Sequence, residues 1–180
     1  FFSARQATQL VQDGAVCLRG HCGAELQLVA CGAVQLQQML KASDRLRQQR
    51  VAHSLIYLLE PGRFRQARDR WEKAALADPA VVRALFPARV RYRVFLTHGR
   101  AEVLLATCRQ LDLGAQRTRA LGYINRGGTL DTQSLLFVNG CTWAHALAAL
   151  AELCGQKPTL WLTEEEWQAI DGRGNPYHVI

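Results

Sequence analysis

The sequence predicts an α/β fold, a three-layer sandwich built on a mostly parallel sheet. Three observations predict it. Short, nearly continuous apolar runs recur along the chain, as in strands buried on both faces. Between them lie amphipathic stretches of roughly 10 to 16 residues, long enough to cross back over a sheet as helices. No internal repeat or long linker interrupts this alternation, and 180 residues with 49% apolar content suffice for one core.

The elements follow in chain order. Ser3 to Leu18 carries apolar positions at Ala7, Leu10, Val11, Ala15 and Val16, which predicts one helix capped by Ser3. Glu25 to Cys31 (ELQLVAC) predicts a buried strand, Gly32 a turn, and Ala33 to Gln49 a helix facing inward with Leu36, Met39, Leu40 and Leu46. Val51 to Leu59 is the second strand and completes a strand–helix–strand unit. Glu60-Pro61-Gly62 turns the chain. Phe64 to Leu85, broken at Asp78-Pro79, predicts two short helices. Val90 to Thr97 is a third strand, Arg100 to Leu111 an amphipathic helix, and Ala115 to Tyr123 a fourth strand. Asn125 to Asp131 is a polar, Gly-rich loop, and Leu135 to Val138 a short apolar element. Thr142 to Leu153 (TWAHALAALAEL) is the strongest helix, closed by Gly155. Beyond Pro158 the composition changes. Thr163 and Glu166 form a capping box for a small helix to Ile170, and the end reads as irregular. The expected organisation is an α/β domain over 1–157 and a tail over 158–180.

Composition argues against several classes of function. The net charge of +7 comes from 22 Lys and Arg against 15 Asp and Glu. The arginines are scattered, with no basic run to track a phosphate backbone, so no nucleic-acid partner is expected. No signal-peptide pattern occurs and no apolar run approaches the ~20 residues of a membrane helix. A cytoplasmic location without membrane contact is the expectation. The first residue is Phe1, which suggests a trimmed or excised piece with a partner segment upstream. Six cysteines include no CxxC pair; Cys17, Cys22 and the intervening His21 form at most a partial zinc set. Free thiols and no metal are expected. Neither GxSxG nor HExxH occurs.

In open α/β sheets ligands favour the carboxyl ends of the strands. Cys31-Gly32 is one such turn, though without a GxGxxG fingerprint. At Thr97-His98-Gly99-Arg100 a His at a strand end precedes an Arg in the first turn of a helix, which suits an anion. His98 equally suits a hydrogen bond to its own turn. The loop from Gly122 to Thr132 is the most distinctive. Its glycines, Gly127 and Gly128, expose successive N–H groups, and Tyr123, Arg126, Thr129 and Thr132 surround them. Such a loop cradles a phosphate or crosses an interface where no side chain fits. Cys141 and His145 stand four apart on one helix face, which invites a thiolate–imidazole pair. On an Ala- and Leu-rich helix, Trp143 and His145 read rather as core or interface residues. No catalytic residue is assigned.

The segments ELQLVACG, VAHSLIYLLEPGRF, RVFLTHGRAEVLL and RTRALGYINRGGTLDTQSLLFVN, in this order, resemble the C-terminal domain of phosphoketolases. More distantly they resemble that of transketolases. The resemblance covers roughly Phe1 to Leu153 and is most specific at His98-Gly99 and at the loop from Gly122-Tyr123 to Thr132. Two departures stand out: Arg100 replaces an aromatic after His-Gly, and a threonine run is reduced to Thr129-Leu130-Asp131-Thr132. The resemblance implies a domain that supports a thiamine-diphosphate enzyme acting on two-carbon ketol units. Thiamine diphosphate and Mg would be bound by catalytic domains in cis or on another chain, in a homodimer or hetero-oligomer. This chain lacks the GDG…N signature and is expected to bind no cofactor alone. The alternative is a stand-alone anion-binding regulatory or assembly module that kept the fold without catalysis.

Overall fold

The computed structural model describes residues 2–20 and 23–180. His21 and Cys22, two members of the partial zinc set, lie outside the described residues. The chain runs α1 (Ala4–Asp13), β1 (Ala15–Arg19), β2 (Leu26–Cys31), α2 (Ala33–Gln48) and β3 (His53–Leu58). A 3-10 turn at Pro61–Phe64 leads to α3 (Arg70–Lys73), α4 (Pro79–Leu85), β4 (Tyr92–Thr97) and α5 (Ala101–Thr107). Then come β5 (Thr118–Leu121), α6 (Thr132–Val138), α7 (Trp143–Leu153) and α8 (Glu164–Ile170).

The five strands form one sheet in the order β1-β3-β2-β4-β5. β3, β2, β4 and β5 are parallel, and β1 joins the edge antiparallel to β3. Alternation along the central strands builds a core on each face. Leu28, Ala30, Leu55, Tyr57, Val94 and Leu96 point to one side, against α2 and α7. Val29, Cys31, Ile56, Leu58 and Phe95 point to the other, with Phe64, Leu85 and Leu104. Both faces are covered, so the strands read as apolar throughout rather than alternating with polar residues. Each fully buried leucine contributes about 1.5–3 kcal/mol relative to an exposed one.

The structure departs from the sequence expectations in two places. The first helix does not run to Leu18: it ends at Asp13, because Gly14 takes a left-handed φ of 75° and closes it. Ala15–Arg19 becomes strand β1, whose Ala15 and Val16 are fully buried against β3. The cap at Ser3 is a full capping box with Gln6. Thr132–Leu153 is a 22-residue stretch of mean hydropathy 1.3, long and apolar enough to cross a membrane. It is broken into α6 and α7, and 67% of its most apolar window is buried inside the protein, as in a core helix.

The tail packs onto the same core. Trp161, Leu162, Ala169 and Val179 are buried in the cluster that contains α2 and α7. α8 carries the expected capping box of Thr163 and Glu166. Glu166 also takes a two-pronged bond from Arg45 of α2, at 2.7 and 2.8 Å, which ties tail to domain. On the other face Arg93 is almost wholly buried, with neutral partners: it donates to Gln27 Oε1 at 2.7 Å and to the carbonyl of Leu111. Burial pulls its pKa down to about 10.

Candidate functional site at the strand ends

From β2 the chain moves outward to β3, and from β4 it moves the opposite way to β5. The carboxyl ends of β2 and β4 therefore flank a topological switch point, where the connections part and leave a crevice. A cavity of about 240 Å³ opens there. Gln35 and Val34 of α2, Thr97 and His98 of the β4 end, and Tyr123 form part of its wall. Thr132, Leu135, Leu136, Asn139 and Cys141 close it from the α6 side.

His98 is bound to the neighbouring strand end rather than to its own turn. Its backbone N–H donates to the carbonyl of Cys31 at 3.1 Å, and its ring Nδ1 lies 3.2 Å from the same oxygen. With a carbonyl as partner, Nδ1 is the donor, and in the neutral tautomer this implies Nε2 is the acceptor. Gly32 makes the close approach possible. It takes φ 116°, and a side chain there would meet Gln35 and come within 3.0 Å of the His98 ring. Gly122 does the same between β4 and β5. A Cβ would collide with the carbonyl of Gly99 and reach 2.8 Å from Thr97 Cγ2. Tyr123 N–H then donates to Gly99 O at 2.9 Å, locking the two turns together.

The distinctive loop is organised by a residue that sequence reasoning missed. Asn139, buried at the end of α6, accepts from the N–H groups of Ile124 and Arg126 at 3.0 and 3.2 Å. Its amide donates to the carbonyls of Arg126 and Leu135. Two of the loop N–H groups are thus spent inside the protein. Arg126, Gly127, Gly128 and Thr129 remain exposed and outside the cavity wall, as does Arg100. The structure therefore brings His98, Tyr123 and Thr132 together, Gly99 behind them, and leaves the two arginines apart. An Asn before Gly140 at a helix end reads in sequence only as a cap, which is why its clamp was not legible.

Cys141 and His145 do not pair. Cys141 donates to the carbonyl of Asn139 at 3.3 Å, while His145 Nδ1 meets Thr142 Oγ1 at 2.7 Å. Burial raises the Cys141 thiol to about 11 and lowers His145 to about 4, so neither is charged near neutrality. His145 instead faces a shallow groove with Leu121, Gly122 and Trp167. Trp143 is buried by the chain itself: its indole N–H donates to Val179 O at 3.1 Å, and the Arg45 guanidinium lies 4.9 Å from its ring centre. The N–H of Trp143 donates to Gln38 Oε1 of α2, a second polar residue in the core that the sequence did not mark. Among the described residues no group of three His, Cys, Asp or Glu side chains could hold a metal ion.

No protein-family model matches the chain, and no curated protein does. Solved structures do match. Transketolase from Leishmania mexicana aligns with a TM-score of 0.59 at 15% identity, over 82% of this chain and 19% of that one. The fold is that of a transketolase C-terminal domain. Transketolase from Campylobacter jejuni aligns over 77% of this chain with a TM-score of 0.54 at 16% identity. A split-gene transketolase, an inactive beta4 tetramer, aligns over 79% at a TM-score of 0.55 and 15% identity. This chain spans about a fifth of the first two transketolases (19% and 18%) and 43% of the split-gene chain.

Proposed function

We propose that the chain is the C-terminal domain or subunit of a thiamine-diphosphate-dependent enzyme, of the transketolase or phosphoketolase kind, that transfers or cleaves two-carbon ketol units. The observation that carries this reading is the fold match to transketolases, a split-gene chain among them. Its role is to buttress the catalytic domains and the dimer, in the cytoplasm.

The cofactor does not fit this chain. The one buried carboxylate among the described residues, Glu166, is spent on Arg45, and no acidic cluster stands ready for a divalent metal. In this reading thiamine diphosphate and Mg would be held by partner domains, and no reaction step is assigned to this chain. Co-expression with a chain supplying those domains tests the proposal. A stable complex that turns over a ketose phosphate only when both chains are present is the expected result. Separate elution of the two chains, with activity indifferent to this one, would overturn it.

The cavity at the switch point supports a second reading, a free-standing ligand-binding module. Its wall offers His98 Nε2, Tyr123, Thr132 and Gln35 over an apolar base. Thermal-shift titration with sugar phosphates, acetyl phosphate and nucleotides tests it. A saturable shift that Thr132→Val abolishes supports the module, and a flat response to every compound removes it.

A further inference from the structure

A larger cleft, of about 670 Å³, lies away from the strand ends, between the segment after β3, α3 and the start of α4. It shares no wall residue with the switch-point cavity. We propose that this cleft binds a small aliphatic polyanion, a molecule with at least two phosphate or carboxylate groups.

Four cations line it, Arg63, Arg65, Lys73 and Arg83, and they come from three different segments of the chain. Their framework is built before any ligand arrives. Phe64, between the two arginines, is fully buried and packs edge-on against Phe86 with ring centres 5.6 Å apart. The carbonyl of Arg63 accepts from Ala77 N–H at 2.8 Å. Those of Phe64 and Arg65 accept from Gln110 Nε2 at 2.8 and 3.3 Å. A fixed backbone lowers the ordering cost of gripping a ligand.

The cations are also poorly satisfied within the protein. The side chains of Lys73 and Arg83 have no partner among the described residues. Arg63 reaches only the Val11 carbonyl, at 3.5 Å. Arg65 donates to Gly62 O at 2.5 Å and touches Glu72 at 3.5 Å, but that carboxylate is already gripped by Arg68. Of the two carboxylates in the wall, Asp78 is occupied in capping α4 through Ala80 N–H at 2.6 Å. Both carboxylates keep their charge, so Asp13 and Asp78 oppose an incoming anion against the four cations. Leu76, Ala77 and Val82 supply an apolar floor that strengthens charge interactions above it. Among the described residues no aromatic side chain lines the cleft, so these residues offer no stack for a nucleobase and suit an aliphatic body. A single anionic group at so open a site is largely screened by salt, whereas two groups bridging separate segments are held jointly.

Isothermal titration of the full chain at about 0.15 M ionic strength tests this. Pyrophosphate and citrate serve as probes, with orthophosphate and acetate as single-group controls. Saturable binding of pyrophosphate, citrate or both is expected, and which one binds distinguishes phosphate from carboxylate recognition. Combined Arg63→Gln and Arg83→Gln should weaken it about tenfold or more. Asp13→Asn should tighten it. Arg89→Gln with Arg119→Gln, outside the cleft, should leave it unchanged, and circular dichroism verifies that each variant is folded. Failure of both probes to bind, controls that bind as well as the probes, or equal loss in the Arg89/Arg119 pair would each overturn the proposal.

Discussion

Gly122 sits where the ends of β4 and β5 converge, and its missing side chain is what lets Tyr123 reach Gly99. Gly122→Ala forces a methyl group against backbone on two sides, since Ala101 N lies 2.9 Å from the added Cβ and Gly99 O closer still. Backbone cannot rotate away as a flexible side chain would, so the variant should lose about 1–3 kcal/mol, measured from urea denaturation midpoints. His145 makes a different prediction. Its folded pKa of about 4 lies below the ordinary 6.5, so between these values the folded chain holds fewer protons than the unfolded one. Stability therefore falls as pH drops from 6.5 to 4, by up to about 3 kcal/mol from this residue alone. His145→Gln should flatten that slope relative to the parent chain. If the two slopes coincide, the imidazole is not as buried as described. His53 contributes in the same direction: burial lowers its pKa, with Ser43 Oγ 2.6 Å from Nε2 and the Val51 carbonyl 2.9 Å from Nδ1.

At the level of elements, the central strands were legible because burial on both faces leaves a run with hardly a polar interruption. β1 was not. Ala15 and Val16 continue the helical spacing of Ala7 and Leu10, and only the left-handed turn at Gly14 and the free edge of β3 decide for a strand. The switch-point crevice was legible to the extent that His98, Tyr123 and Thr132 stand at strand and helix ends. Gln35 and Asn139 were not, because a polar residue inside an amphipathic pattern does not announce which distant backbone it will bind. The tail yields the element-scale prediction. Removing residues 158–180 uncovers Trp143 and takes Glu166 from Arg45, leaving a guanidinium and an indole N–H without their partners. Residues 1–157 alone should bind a hydrophobic dye and melt at a lower temperature. Unchanged melting would mean that α8 and the end of the chain contribute no stability to the domain.

For the molecule as a whole, the two cores are the two faces of one sheet. Leu28 and Val29 are neighbours in β2 yet belong to opposite cores, so neither core can come apart while the other keeps its strands in place. Unfolding should be a single transition, with tryptophan fluorescence and far-ultraviolet dichroism superimposing in urea. Two separated midpoints would contradict this. The architecture matches one part of a much longer transketolase, 19% of the Leishmania mexicana chain.

The cysteines give this two-faced construction a further consequence. Cys108 lies in one core and Cys141 in the other, and burial holds their thiols up at about 12 and about 11. Both thiols are nearly inaccessible and stay protonated at neutral pH. A reagent too bulky for the switch-point cavity, whose wall includes Cys141, therefore reacts with either only as the chain opens. The two sulfur atoms therefore act as paired clocks set into opposite sides of the sheet. If both are modified at one rate, the sheet opens as a unit; if one runs ahead, its face is the one that breathes.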